Sequence, residues 1–397
     1  MKPTILIDMD DTLLSNPFDI FMPAYFKLLG AALADRIDPK VMLTQLLKST
    51  EDMIHNDDFR VTLEDKFAEH FFPALNLDRD DTLTVLDAFY ASEFEKLRPI
   101  TAPRPEAIAL VRTCQQRGYT VAVATNPLFP RTAMLSRLRW GELPLSVYAF
   151  PIVTAYESFH FAKPNPAYYA EILAQLGWPE GPVLMIGNSL SDDIFPAASL
   201  GIKTYYLNNT PEKEAPLAQG TLSECLPWLD SAVKDNHFSL NYNDLPSILA
   251  YLRASPAAIQ TLLSTCPEML LNQRPQENEW SIQEVICHLR DVDGDVNLPR
   301  FTAILQQGKS FIPAIDTDAW ATERDYRSQS YPHAWQEYLS NRKQLIDLVV
   351  TIQPADLQKS VNHSVFGPTT VAELLKFIVI HDQNHVRQVK ANLAALS

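Results

Sequence analysis

Ile5-Leu6-Ile7 is an apolar run at the very start of the chain, and it stops at two carboxylates, Asp8 and Asp10, spaced i, i+2. A short run of this kind reads as a buried strand, and the carboxyl end of a buried strand is where open α/β sheets gather ligands. A strand puts i and i+2 on one face, and a bend just after Asp8 would aim both acids into a cleft. Two acids so placed suit one chemistry: one attacks as a nucleophile, the other passes a proton to and from a leaving oxygen. The bland alternative is a solvated acidic turn, which leaves the abutting apolar run unexplained.

Strand character then vanishes until Tyr119–Thr125, and recurs at Phe150–Val153, Val183–Gly187 and Thr204–Leu207. Helices are predicted between these strands at Pro105–Gly118, Asn165–Leu176 and Asp192–Leu200. Strands alternating with helices imply a parallel sheet wound by right-handed crossovers, an α/β Rossmann-like core. Residues 17–100 read as helical throughout: Phe18–Leu33, Pro39–Met53, Leu63–Leu75 and Asp81–Leu97. This block, about residues 15–100, is an insertion after the first strand, placed to cap the site.

The pattern changes after Trp228. Residues 231–244, with Asp235, Asn236, Asn241 and Asn243, read as a linker between a first domain at 1–230 and a second at 245–397. From Leu245 onward no strand is predicted. Long helices are expected at Pro256–Leu263, Ser281–Leu305, Pro332–Ile352 and Thr370–Leu393. Ser281-Ile282-Gln283-Glu284 and Thr370-Val371-Ala372-Glu373 are capping boxes that fix two of the starts. Four helices with one apolar stripe each make a bundle. Two domains also suit 397 residues, too many for a typical single core.

The net charge of −15 argues against nucleic acid and anionic membrane as partners. The chain contains no apolar run long enough for a membrane span. The N-terminus enters a strand almost at once, leaving no room for a signal peptide, and Cys114, Cys225, Cys266 and Cys287 lack CxxC spacing. A cytoplasmic protein with reduced thiols is expected.

Four motifs end successive strands: Asp8-Met9-Asp10-Asp11-Thr12, Thr125-Asn126, Lys163 within Phe161-Ala162-Lys163-Pro164, and Gly187-Asn188-Ser189-Leu190-Ser191-Asp192-Asp193. Each has a task if the substrate is a phosphate ester. Asp8 attacks phosphorus, Thr125 and nearby backbone amides hold phosphoryl oxygens, Lys163 neutralises the aspartate and the phosphate, and the acids of the last motif hold a hard cation. The ordered set resembles the haloacid dehalogenase (HAD) superfamily over about residues 1–228. The resemblance implies an aspartyl-phosphate intermediate, with Asp8 as nucleophile and Asp10 as general acid/base. It implies Thr125, Asn126 and Lys163 at the phosphate of a small phosphorylated substrate. Mg²⁺ would lie at Asp8, the Asp10 main-chain carbonyl, Asn188 and Asp193, under a helical C1 cap. Asn188 departs from the family's usual aspartate and brings no charge to the metal. The second acid of the first motif favours phosphate esters over dehalogenation. Carbon–phosphorus cleavage would need a cap lysine, and Lys27, Lys40, Lys48, Lys66 and Lys96 sit in no motif. His160 reads as surface, with reach to the site beside Lys163 as the alternative.

In the second domain His381 and His385 share a helix face at i, i+4, and His288 follows the first capping box. Three imidazoles converging between neighbouring helices suit Zn²⁺, Ni²⁺, Fe²⁺ or Mn²⁺. Arg274-Pro275, Glu279-Trp280-Ser281, Glu284, His288-Leu289, His381, His385 and Gln388 together resemble the DinB/YfiT-like superfamily, which implies that His288, His381 and His385 hold a transition metal such as Zn²⁺ or Ni²⁺. It implies no particular reaction. Asp291 and Asp382 read as exposed acids, with support of the histidines as the alternative. A second reading makes the bundle a non-catalytic binding or dimerisation module, forming a homodimer through the bundle, which an exposed apolar face on Pro332–Ile352 would favour.

Overall fold

The structure is a computed structural model and describes residues 2–208, 210, 218–234 and 238–396. It divides into two compact units. One runs to Ile172 and resumes at Pro179–Leu240; the other holds Leu173–Trp178 and the chain from Asn241 onward.

The strands of the first unit are β1 Thr4–Ile7, β2 Leu14–Ser15, β3 Ala102–Pro103, β4 Thr120–Val123, β5 Val183–Gly187, β6 Lys203–Leu207 and β7 Ala218–Gly220. Five form one parallel sheet in the order β4-β1-β5-β6-β7. The register positions the chemistry. Ile7 lies opposite Val123 on one side and Ile186 on the other, so the residues after all three strands emerge level with one another. β1 and β5 are buried along their whole length, as parallel strands covered on both faces must be.

β2 and β3 pair with each other, Leu14 opposite Pro103 and Ser15 opposite Ala102, and the whole cap lies between them. Its helices are Phe18–Ala32, Pro39–Ile54, Leu63–Ala74 and Arg79–Ala91. Asp38, Thr62 and Asp78 cap three of them by accepting backbone N–H bonds in the first turn. Their inner faces pack Phe21, Leu29, Phe71, Phe89 and Phe94 into one core, with Trp140 from outside the cap.

Some expectations shift. The helix predicted at Asp81–Leu97 breaks at Ser92 and continues as a 3₁₀ turn, Glu93–Ile100. Phe150–Val153 is no strand; only Val153 bridges to Val123, since Pro151 has no N–H for a ladder. The helix expected from Asp192 opens as a π-turn at Leu190–Ile194, with Phe195–Ser199 following. β7 and the helices Arg131–Trp140 and Leu222–Lys234 were not predicted. The last of these occupies the start of the expected linker, and Asp235 and Asn236 of that linker lie outside the described residues.

The second unit is built on four long helical segments: Leu245–Leu263, Ile282–Leu305, Tyr331–Val350 and Val371–Leu396. The first begins well before Pro256, because Asp244 caps it by accepting from Ser247 N at 2.9 Å and Pro246 fits its first turn. The second segment contains a π-turn at Val292–Asn297. Both predicted capping boxes are present: Ser281 with Glu284, and Thr370 with Glu373. Where no strand was expected, β8 Phe311–Ile312, β9 Ser360–His363 and β10 Gly367–Thr370 form a small sheet. Arg342 is fully buried and ties the segments together, bonding Asp293 Oδ2 at 2.7 Å, Asp382 Oδ1 at 3.0 Å and Leu252 O at 3.2 Å. Among the described residues no helix is long and apolar enough to cross a membrane.

Candidate functional site

Asp8 follows the last residue of β1 and is 5% exposed. Asp10 follows at i+2, and the chain then turns sharply through Asp11, whose φ of 51° lies in the left-handed region. Thr12, Leu13 and Leu14 all donate their amides to Met9 O, which closes the turn. Asn126 follows β4, and its Oδ1 accepts from Lys163 N at 3.2 Å. Lys163 Nζ then lies between two acids, 2.8 Å from Asp8 Oδ1 and 2.5 Å from Asp193 Oδ1. Asp193 is buried, and its other oxygen accepts from Ser189 N at 3.0 Å. Gly187, at the end of β5, is where the chain passes this carboxylate; a Cβ there would overlap it.

Burial disfavours the charged Lys163, but Asp193 and Asp8 outweigh it and hold the ammonium charged well past its ordinary range. Burial pushes the Asp193 carboxyl up to about 6, against the pull of Lys163. Two buried carboxylates therefore face one ammonium, with Asn188 and Asp192 nearby on the cavity wall. A hard, oxygen-ligated cation such as Mg²⁺ fits this donor set and its excess negative charge.

The Asp10 carboxylate turns elsewhere. Asn16 donates to it at 2.6 Å, and Arg137 reaches the same oxygen. Arg137 is 2% exposed, with Phe21 and Phe129 rings each 5.6 Å from its guanidinium carbon. Burial lowers its pKa to about 10, with Asp8 opposing. Sequence reasoning missed this residue. The available signal was an arginine on an otherwise apolar helix face beside Met134 and Leu138.

Thr125 is 1% exposed, and its carbonyl accepts from Thr154 Oγ1 at 2.6 Å and Tyr168 Oη at 2.7 Å. His160 is not on the surface but fully buried, Nδ1 2.7 Å from Glu171 Oε1. Asp8, Asp10, Asn126, Lys163, Asn188 and Asp193 all border a cavity of about 640 Å³ that extends under the cap. Phe18, Phe21 and Phe26 of the first cap helix line it. None of the five cap lysines is among the residues that line it.

In the second unit His288, His381 and His385 bring one ring nitrogen each within 4.8 Å of one another. His288 Nε2 and His381 Nε2 are 3.0 Å apart. His385 Nδ1 pairs with Gln388 Oε1 at 2.9 Å, so it carries the proton and leaves Nε2 bare. Burial, then the neighbouring imidazoles, push His288 down to about 3; burial, then His381, push His385 down to about 4. Three converging imidazole nitrogens, with His288 and His385 held neutral by burial, form a donor set suited to a transition metal. Trp280 lies parallel to His385, centroids 6.2 Å apart, and covers the centre.

Asp291 and Asp382 are both buried, which corrects the exposed reading. Asp291 pairs with Arg290 at 2.6 Å and Arg324 at 2.7 Å, away from the histidines. Asp382 is bound to Arg342, and His381 Nδ1 stands 3.8 Å off, beyond hydrogen-bond range. On Tyr331–Val350, among the described residues, the apolar face of Leu339, Leu345, Ile346 and Val349 is buried, and Val350 is the large apolar side chain left exposed.

A family model described as haloacid dehalogenase-like hydrolase matches residues 2–201, and one described as DinB superfamily matches 251–389. The chain is 25% identical over 136 residues to the uncharacterized protein YuaE of Bacillus subtilis, covering 30% of this chain and 81% of that protein. It is 26% identical over 135 residues to ribulose-1,5-bisphosphate 5-phosphatase of Halopiger xanaduensis, covering 34% of this chain and 53% of that protein. The chain thus spans about half the length of this second relative. Among solved structures, a HAD phosphatase from Thermococcus onnurineus aligns at 21% identity with a TM-score of 0.37, over 58% of this chain and 98% of that one.

Proposed function

From the premise that the chain belongs to the haloacid dehalogenase-like hydrolase family, we propose that its first unit hydrolyses a phosphate monoester through Asp8, with Mg²⁺ as cofactor. The observation that carries this reading is Lys163 Nζ, 2.8 Å from Asp8 Oδ1 and 2.5 Å from Asp193 Oδ1 in a buried site. An ammonium fixed there offsets the charge that a nucleophilic carboxylate and a phosphate would otherwise pile up together.

The Asp8 carboxylate attacks phosphorus, and the bond from phosphorus to the ester oxygen breaks. Asp10 gives its proton to the departing oxygen. It then takes a proton from the water that attacks the acyl phosphate, which releases inorganic phosphate and restores both acids. Asn16 and Arg137 fix the Asp10 carboxylate for this transfer. Asp8, the Asp10 main-chain carbonyl, Asn188 and Asp193 would hold Mg²⁺, which when bound supplies positive charge to the phosphoryl oxygens. A phosphatase among the relatives supports the reaction class, while the partial match leaves its substrate with that protein.

The test is phosphate release from a panel of esters, with Mg²⁺ or with chelator, for wild type and Asp8→Asn. Mg²⁺-dependent turnover that disappears in the variant is expected. Turnover retained by Asp8→Asn overturns the mechanism.

For the second unit the reading is a divalent transition metal, Zn²⁺ or Ni²⁺, on His288, His381 and His385. Metal analysis of the purified full chain, against a His288→Ala and His381→Ala double variant, is the check. Equal metal content in both would sink it.

A further inference from the structure

The cavity that begins at Asp8 changes character as it passes under the cap. Beyond the acids its walls are Phe26, Leu46, Phe67, Phe71, Leu83 and Leu86, contributed by all four cap helices. Glu64 and Tyr156 also border it, but several of the other polar lining groups are already engaged. Thr50 donates to Leu46 O of its own helix at 2.8 Å, and Tyr25 and Tyr90 bond to each other at 2.8 Å. Arg79 is paired with Asp65 at 2.9 Å. Phe18 and Leu47 border the same cavity yet stay 70% and 52% exposed, so apolar surface also meets water at its margin.

A sugar in such a space would give up its hydration for few partners, at a cost no contact returns. An apolar chain would gain along every wall. A volume of about 640 Å³ is ample for a ligand, and close-packed cores do not leave such voids for packing reasons alone.

We propose that the substrate is the phosphate ester of a lipophilic alcohol, its phosphate at Asp8 and Lys163 and its hydrocarbon portion inside the cap. The proposal rests on the phosphatase reading and specifies what that site accepts.

The experiment separates the two. Calorimetry with ethyl-, butyl-, hexyl- and octylphosphonate, which cannot be hydrolysed, reads chain preference without turnover. In parallel, kcat/KM is measured for the matching alkyl phosphates, below their micelle concentrations, and for glucose 6-phosphate and ribose 5-phosphate. Affinity and kcat/KM are expected to rise by about threefold to fourfold per methylene, the transfer value for one CH₂. Both sugar phosphates should fall below butyl phosphate.

Phosphonate affinities that climb with length while no ester turns over would defeat the phosphatase reading and keep the lipophilic pocket. Turnover with a flat series, or with a sugar phosphate preferred, would defeat the lipophilic pocket and keep the phosphatase. Phe67→Gln and Leu86→Gln, at half-buried positions, should each lower the octyl-to-ethyl ratio by about tenfold. A ratio unchanged in both variants overturns the proposal.

Discussion

Arg137 and Asp10 form an ion pair whose two ends see different surroundings: the guanidinium is 2% exposed and the carboxylate 45%. A cation is thus held out of water beside the acid assigned to proton transfer. With its pKa lowered only to about 10, Arg137 stays charged at neutral pH. In the proposed mechanism it aims Asp10, and aim matters in catalysis more than in stability. Arg137→Met fills similar volume, and the Asp10 carboxylate it leaves is 45% exposed and open to water, so no buried charge is orphaned at that end of the pair. Its expected signature is a fall in kcat of about 10²-fold, with the melting temperature unchanged or higher. A parallel loss of folding would show that the pair is structural instead.

Asn188 bears on the metal. It borders the cavity with Asp8 and Asp193, where the family's usual residue is an aspartate. Asn188→Asp adds a charged oxygen ligand, and ligand charge tunes affinity for hard cations. The Mg²⁺ concentration for half-maximal activity is expected to fall by about tenfold. A titration of activity against Mg²⁺ reads this directly, and a rise would mean that position 188 does not face the cation.

The histidine centre predicts an unusual response to acid. His288, near 3, and His385, near 4, stay neutral when folded, whereas an unfolded imidazole protonates near about 6.5. Below that pH the unfolded chain binds more protons than the folded one. The metal-free protein is therefore expected to hold its stability above about pH 6.5 and to lose it progressively as pH falls toward 4. Zinc uptake by the folded protein should be blunted in the other direction. From pH 7 to 5 it should weaken far less than the roughly four orders of magnitude expected of three free imidazoles. Urea melts and zinc titrations over that range supply both readings.

Arg342 is the shared cation of two buried acids in the second unit. Its removal strands Asp293 and Asp382, both buried, without their shared cation. Arg342→Met is expected to cost about 3–5 kcal/mol of stability in urea denaturation. Adding Asp293→Asn and Asp382→Asn should recover part of it. If the triple variant is no better than the single one, the loss comes from packing and not from orphaned charge.

The sequence exposes some of this and hides the rest for physical reasons. Acids directly after Ile7 stand out because charge abutting a buried strand needs a purpose. His381 and His385 stand out because their spacing alone puts them on one helix face. Arg137 gives no such signal: its partner Asp10 is remote in sequence, and only the fold brings them together. The apolar cavity is also invisible along the chain, since all four cap helices contribute to it and the apolar side chains they give otherwise read as core. The small sheet escapes notice because β8 has two residues and β10 contains Pro368, so neither shows an alternating run. Pro256 misled the helix start because a proline reads as a first-turn residue, while Asp244 and Pro246 supply the real start.

The pairing of β2 with β3 has a consequence for how such a protein can diversify. The chain leaves the sheet and returns to it through the same two-rung ribbon, Leu14 with Pro103 and Ser15 with Ala102. Everything between is a cassette whose ends are already side by side. A cassette of another length or composition could be spliced there for little extra closure entropy, since that cost grows only slowly with loop length. The reacting groups outside the cassette would keep their places, and the molecules they act on could change by exchange of a single segment.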